Sequence, residues 1–136
     1  MTADLYLRQL ELNRLRVESK IAEVQRLELL ALDISPHLTD IKVKASSNPQ
    51  RAQEVWVRLV DTKDELLREI DNLIDLENEI NRNLEKLPPT EYEVLFKLYI
   101  QHLSVQEVAD QMNYHRQSIY EIKKKGLEKL QKIINP

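Results

Sequence analysis

The sequence predicts an all-α protein: a long, coiled-coil-like helical hairpin at the N-terminus, followed by a small domain of three helices with helix-turn-helix spacing. Three observations lead there. One glycine in 136 residues and 32% charged residues are the composition of long helices rather than of strands and tight hairpins. Apolar residues recur every seven positions along much of the first two thirds. The last third is divided by capping signals and a short asparagine turn.

Residues from about Ala3 to Asp33 read as one helix, because Leu10, Val17, Val24 and Ala31 stand seven apart with Ile21 between them. Ser35 and Pro36 are expected to stop it, and the stretch DISPHLTDIKVKASSNP reads as a loop whose Ser46, Ser47, Asn48 and Pro49 prepare the next start. From Pro49 to about Lys86 runs a second helix with Leu59, Leu66, Leu73 and Ile80 in heptad register and Trp56, Ile70 and Leu84 on the adjoining row. Pro88 and Pro89 end it. At about 1.5 Å per residue these helices span roughly 45 and 55 Å, more than a small C-terminal core can cover. The Leu59, Leu66, Leu73 and Ile80 row is therefore expected to be the core of a hairpin or oligomer. An antiparallel hairpin within one chain and a dimer of side-by-side hairpins both satisfy the pattern. The domains divide as 1–86 and 87–136.

In the C-terminal part, Thr90 with Glu93 and Ser104 with Glu107 have capping-box spacing, a hydroxyl to accept from a free N–H and a carboxylate to reach back. Asn113 tolerates the left-handed conformation of a tight turn, and a third helix resumes near His115. Leu95, Leu98 and Tyr99, then Val105, Val108 and Met112, then Ile119, Ile122, Leu127 and Leu130 are expected to form one small shared core. Ala109 falls where the second of these helices must approach the third. Gly126 fits either close helix packing or a bend.

Several function classes are excluded by what the chain lacks. Without cysteine there are no disulfides and no thiolate metal sites. His37, His102 and His115 have no partner at metal-ligand spacing, the carboxylates lie on helices of alternating charge, and a single glycine cannot build a phosphate cradle. No enzyme, cofactor or small-molecule substrate is expected. The opening MTADLYLRQLELNRLRVESK contains no apolar run of signal-peptide or membrane-span length, so a cytoplasmic location without membrane association is expected.

Charge distribution points to a polyanion. The chain is −3 overall, yet residues 113–136 carry six Lys or Arg against two Glu, a net of +4 that leaves −7 for the remainder. Nine acidic and three basic residues lie between Asp61 and Glu85, a solvated flank or a docking face for a basic partner. On the third helix, His115, Arg116, Gln117, Tyr120 and Glu121 are expected to face outward while Ile119 and Ile122 turn inward. Arg can pair with guanine, Gln with adenine, and Glu can accept from cytosine. Ser104 and Gln106 open a helix whose N–H groups can meet phosphate, and Lys123, Lys124 and Lys125 can neutralise flanking phosphates. Taken singly, each lysine is equally well explained as a solvated surface residue.

The pattern Leu-Pro-Pro-x-Glu-x-x-Val-Leu, then Leu-Ser-x-x-Glu-Val-Ala, then Arg-x-Ser-Ile ending in Leu-x-Lys-Leu, resembles region 4 of bacterial sigma factors. Over most of its length the chain is similar to small regulators of Gram-positive phages, the ArpU- and RinA-like late-gene activators. The resemblance implies a phage-encoded transcriptional regulator in the bacterial host cytoplasm that binds double-stranded DNA and acts with host RNA polymerase; the heptad rows add the expectation of a homo-oligomer. It also implies that Arg116, Gln117, Tyr120 and Glu121 occupy base-facing positions. His115 departs from the family's usual Ser or Thr cap and Tyr120 is bulkier than the common residue, so the family's DNA sequence does not transfer. The other reading is a protein-interaction module, such as an antirepressor that binds another regulator.

Overall fold

The computed structural model describes residues 1–39 and 49–136 and is helical throughout, with no strand among the described residues. Helix α1 is Ala3–Thr39, α2 is Pro49–Leu84, α3 is Pro89–Leu95, α4 is Val105–Met112 and α5 is Arg116–Ile134. A π-helical segment, Phe96–Ile100, continues α3. Among the described residues no helix is long and apolar enough to cross a membrane.

Two helix boundaries differ from the sequence expectation. Helix α1 passes Ser35 and Pro36 and reaches Thr39. A proline removes its own N–H from the ladder, but the residues after it keep theirs, so a helix can continue through it with a bond missing. Of the expected loop, residues 40–48 lie outside the described residues. The Thr90 and Glu93 capping box does not form, because α3 starts earlier: Pro88 is the N-cap and Pro89 the first helical residue, where its missing N–H and fixed φ suit the helix. Thr90 thereby becomes the second residue of the helix. No side chain caps this end.

The chain forms two compact units, one of residues 13–72 and one of residues 1–12 with 73–136. In the first, Val24, Leu27 and Ala31 of α1 bury against Leu59 of α2, with Val55 and Leu66 at the margin. The helices are antiparallel, as the ion pairs Lys20 with Glu65 (2.6 Å) and Arg58 with Glu23 (3.6 Å) require. Such exposed pairs are screened by solvent and add little, so the apolar seam supplies most of the stabilisation.

In the second unit, Ala3, Tyr6, Leu7 and Leu10 of α1 and Ile80 and Leu84 of α2 pack with Leu87, Leu95, Tyr99 and Leu130. Leu73 borders this cluster. The Leu59, Leu66, Leu73 and Ile80 row thus lies in seams closed within the chain. The Tyr6 hydroxyl donates to Glu79 Oε2 (3.0 Å) and accepts from Asn83 Nδ2 (2.7 Å). Burial, with Glu79 beside it, pushes the Tyr6 phenol up to about 12.

The last three helices do not share one core. Val94, Val108, Ala109 and Ile119 make a wedge between α3, α4 and α5, whereas Leu95, Tyr99 and Leu130 join the first turns of α1 on the other side. Leu98 packs against both clusters. Gly126 provides close packing: a Cβ there would lie 3.0 Å from Leu95 Cδ1 and 3.3 Å from Glu91 Cβ, while α5 stays continuous.

Two outcomes follow from this packing. A fragment of residues 87–136 leaves Leu95, Tyr99 and Leu130 facing water, and Leu7→Ala in the full chain is expected to cost about 2–5 kcal/mol. Urea titration by circular dichroism should show the fragment without a cooperative transition and the variant with a lowered midpoint. Gly126→Val should cost about 1–3 kcal/mol by overpacking, since Leu95 is fully buried and has nowhere to retreat; an unchanged melting temperature would contradict the close approach.

Candidate nucleic-acid interface

Helices α4 and α5 form the helix-turn-helix. At its start the Ser104 hydroxyl accepts from the Glu107 N–H (3.1 Å), and the Glu107 carboxylate accepts from the Ser104 N–H (3.2 Å). The capping box inferred from the sequence is present. Asn113 ends α4 in the left-handed conformation (φ 59°, ψ 42°), with the Tyr114 N–H donating to the Ala109 carbonyl (3.0 Å). His115 follows in extended conformation as the N-cap of α5, without a side-chain cap bond, so its imidazole is not needed to start the helix.

The wedge of Val108, Ala109 and Ile119 turns the opposite side of α5 outward. His115, Arg116, Gln117, Tyr120 and Glu121 are all exposed there, with Lys124 a turn further on. Among the described residues neither Arg116, Lys124 nor Lys125 is held in an ion pair. A guanidinium, a carboxamide, a phenol and a carboxylate therefore stand along one helix side. They can offer both donors and acceptors to a partner.

Lys123 does not share that side. Four residues after buried Ile119, it returns toward the core, and its Nζ lies 5.8 Å from the Tyr99 ring centroid in a cation–π contact. Lys129 is also engaged, bonded to Glu91 Oε1 at 2.7 Å. This pair fixes α5 to α3. The +4 of residues 113–136 is thus partly consumed inside the fold.

The α4 end is mixed in charge. The Ser104 hydroxyl, already accepting a bond, retains its own proton to donate. Exposed Gln106 donates to Asp110 Oδ1 (2.9 Å), and Glu107 adds a negative charge in the first turn. Lys97 of the π-helical segment donates to Gln111 Oε1 (2.7 Å).

A polar cluster behind α5 was invisible in the sequence. The Tyr99 hydroxyl donates to Asp4 Oδ1, and Arg8 Nε lies 3.0 Å from Asp4 Oδ2. The Tyr99 bond, aided by Arg8, holds the Asp4 carboxyl below its ordinary value. Burial and the same bond push the Tyr99 phenol upward. Heptad reading places Asp4 on a helix flank and cannot reveal that Tyr99, 95 residues later, meets it. Next to this cluster, Gln131 Oε1 accepts from the Ala3 N–H (2.7 Å), and Gln131 and Asn135 both donate to the Met1 carbonyl.

A carboxyl whose folded pKa is depressed adds stability above its unfolded pKa, and that contribution disappears as pH falls through the folded value. The stability difference between the native chain and Asp4→Asn is accordingly expected to be full above about pH 5 and to vanish in acid. Urea unfolding of both proteins across that range checks it. A difference independent of pH would assign Asp4 a purely steric role.

The family model described as "Protein of unknown function (DUF1492)" matches residues 32–131. No curated protein and no solved structure matches the chain. The matched stretch contains all of α2, α3 and α4 and most of α5, with the capped α4, the Asn113 turn and the exposed side of α5 inside it. The chain belongs to the DUF1492 family.

Proposed function

We propose that the protein is a sequence-specific DNA-binding regulator of transcription, in which α5 enters the major groove and Arg116, Gln117, Tyr120 and Glu121 read base edges. The observation that carries this reading is the outward polar row of α5, placed directly after a left-handed asparagine turn and a capped α4. This is the order of a helix that crosses the DNA backbone followed by a recognition helix. His115 stands at the leading edge of the same row.

Phosphate contacts fall to Lys124 and Lys125, with the Ser104 hydroxyl, Gln106 and the first N–H groups of α4 at the other groove wall. Lys123 is reassigned to holding Tyr99. The resemblance to sigma region 4 and to phage late-gene activators supports a regulator that acts with host RNA polymerase in the bacterial cytoplasm. The acidic flank of α2 offers a basic polymerase surface a place to dock.

Reading and holding residues should fail differently. Arg116→Ala or Gln117→Ala is expected to weaken a site recovered by selection from random duplexes by about 1–3 kcal/mol, leaving scrambled DNA nearly unaffected. Lys124→Ala should weaken all sequences alike and lower the slope of log affinity against log salt by about 1. Lys123→Ala should change stability and leave that slope alone. Fluorescence anisotropy at several salt concentrations measures all four. If no duplex is selected, or Arg116 and Gln117 are both dispensable, the exposed row contacts a protein instead.

A further inference from the structure

The flank of α2 beside its seam carries a second, self-complementary pattern. Counting outward from the bond between Lys63 and Asp64, apolar residues stand at the fourth and seventh positions in both directions: Val60 and Val57 one way, Leu67 and Ile70 the other. At 100° per residue these six side chains occupy an arc of about 140°. Val57, Val60 and Leu67 are 53%, 56% and 60% exposed, and Ile70 is half-buried. Exposed apolar side chains repeated at this spacing are not expected on a solvated helix.

We infer that α2 pairs with α2 of a second copy of the chain, antiparallel, about a two-fold axis at Lys63 and Asp64. A two-fold interface must be complementary to itself, and these six positions are; Trp56 and Ile74, exposed within the same arc, meet Asp71 and Gln53 of the second copy. Reversing the helix sets Val60 opposite Leu67 and Val57 opposite Ile70 of the second copy, and sets Lys63 of each copy opposite Asp64 of the other. Charge decides the occupant: the central residues are one cation and one anion in sequence, so a parallel or shifted pairing loses both opposite-charge contacts. Asp64 is in no ion pair among the described residues, and Lys63 reaches Glu28 only at 4.0 Å. The surface borders the buried Leu59 seam on one side, where Ile70 is half-buried, and extends away from it through Val60 and Val57. Pairing there does not require α1 and α2 to separate.

Sedimentation equilibrium of the full-length chain tests the pairing without DNA. A monomer–dimer equilibrium is expected, and Leu67→Asp should abolish it while leaving the helicity and thermal midpoint of the dilute monomer unchanged. Lys63→Asp and Asp64→Lys should each raise the dimer dissociation constant by about tenfold or more, because each sets like charges opposite one another. The double reversal, Lys63→Asp with Asp64→Lys, restores opposite charges across the axis and should recover most of the affinity. A chain that stays monomeric at every concentration assigns the stripe to a different protein and overturns the proposal. So does a dimer indifferent to Leu67→Asp, or a double reversal as weak as the single changes.

Discussion

Burial of Leu7 and Leu10 in the cluster that holds Leu95, Tyr99 and Leu130 is the constraint on which the C-terminal unit depends. A segment of roughly fifty residues buries too small a share of its surface to be secure alone. Here it is apolar on two sides. The wedge around Val108 and Ile119 satisfies one side, and the first turns of α1 with the last turns of α2 satisfy the other. That arrangement explains the length of α5: its first half presents polar side chains, while its second half, from Gly126 through Leu130, is held against α1 and α3. A recognition surface gains accuracy when the element bearing it is locked by packing rather than by its own contacts with the ligand.

Local signals were legible in the sequence where the physics is local. The Ser104 box, the left-handed Asn113 and the start of α5 depend on groups a few residues apart, and their chemistry leaves few alternatives. The heptad row of α2 was legible as a buried stripe because period and residue type agree. What covers it was not, since a heptad specifies a partner helix without saying which chain supplies it. The expectation of one shared core failed for a related reason: Leu95 and Leu98 are both apolar and nearby in sequence, yet Leu95 joins one cluster while Leu98 borders both. At Pro88 and Pro89 the sequence pointed in two directions, and proline at the first helical position won over the Thr90 hydroxyl.

Net charge is a coarse guide to the proposed binding surface, because it counts residues that the fold has already engaged. Glu91 and Lys129 neutralise one another, and Lys123 lies over the Tyr99 ring beside Asp4. The remaining cations of α5 are fewer but better placed, since Arg116 and Lys124 stand on the exposed row. Affinity for a polyanion on this surface would rest on a small number of contacts. Discrimination by base edges then weighs more heavily against attraction to any backbone.

The π-helical segment Phe96–Ile100 closes with the Gln101 N–H bonded to the Phe96 carbonyl, five residues back, at 3.0 Å. A turn of this kind holds one residue more than the α-helical turn it replaces. Here it is the last turn before the chain leaves the helix at Gln101. Leu98 and Tyr99 lie inside this wider turn, which places Tyr99 on Asp4 and Leu98 between the two clusters. Such a joint is sensitive to length: a single-residue deletion within it would swing Tyr99 away from Asp4 and take from α5 the ring on which Lys123 rests.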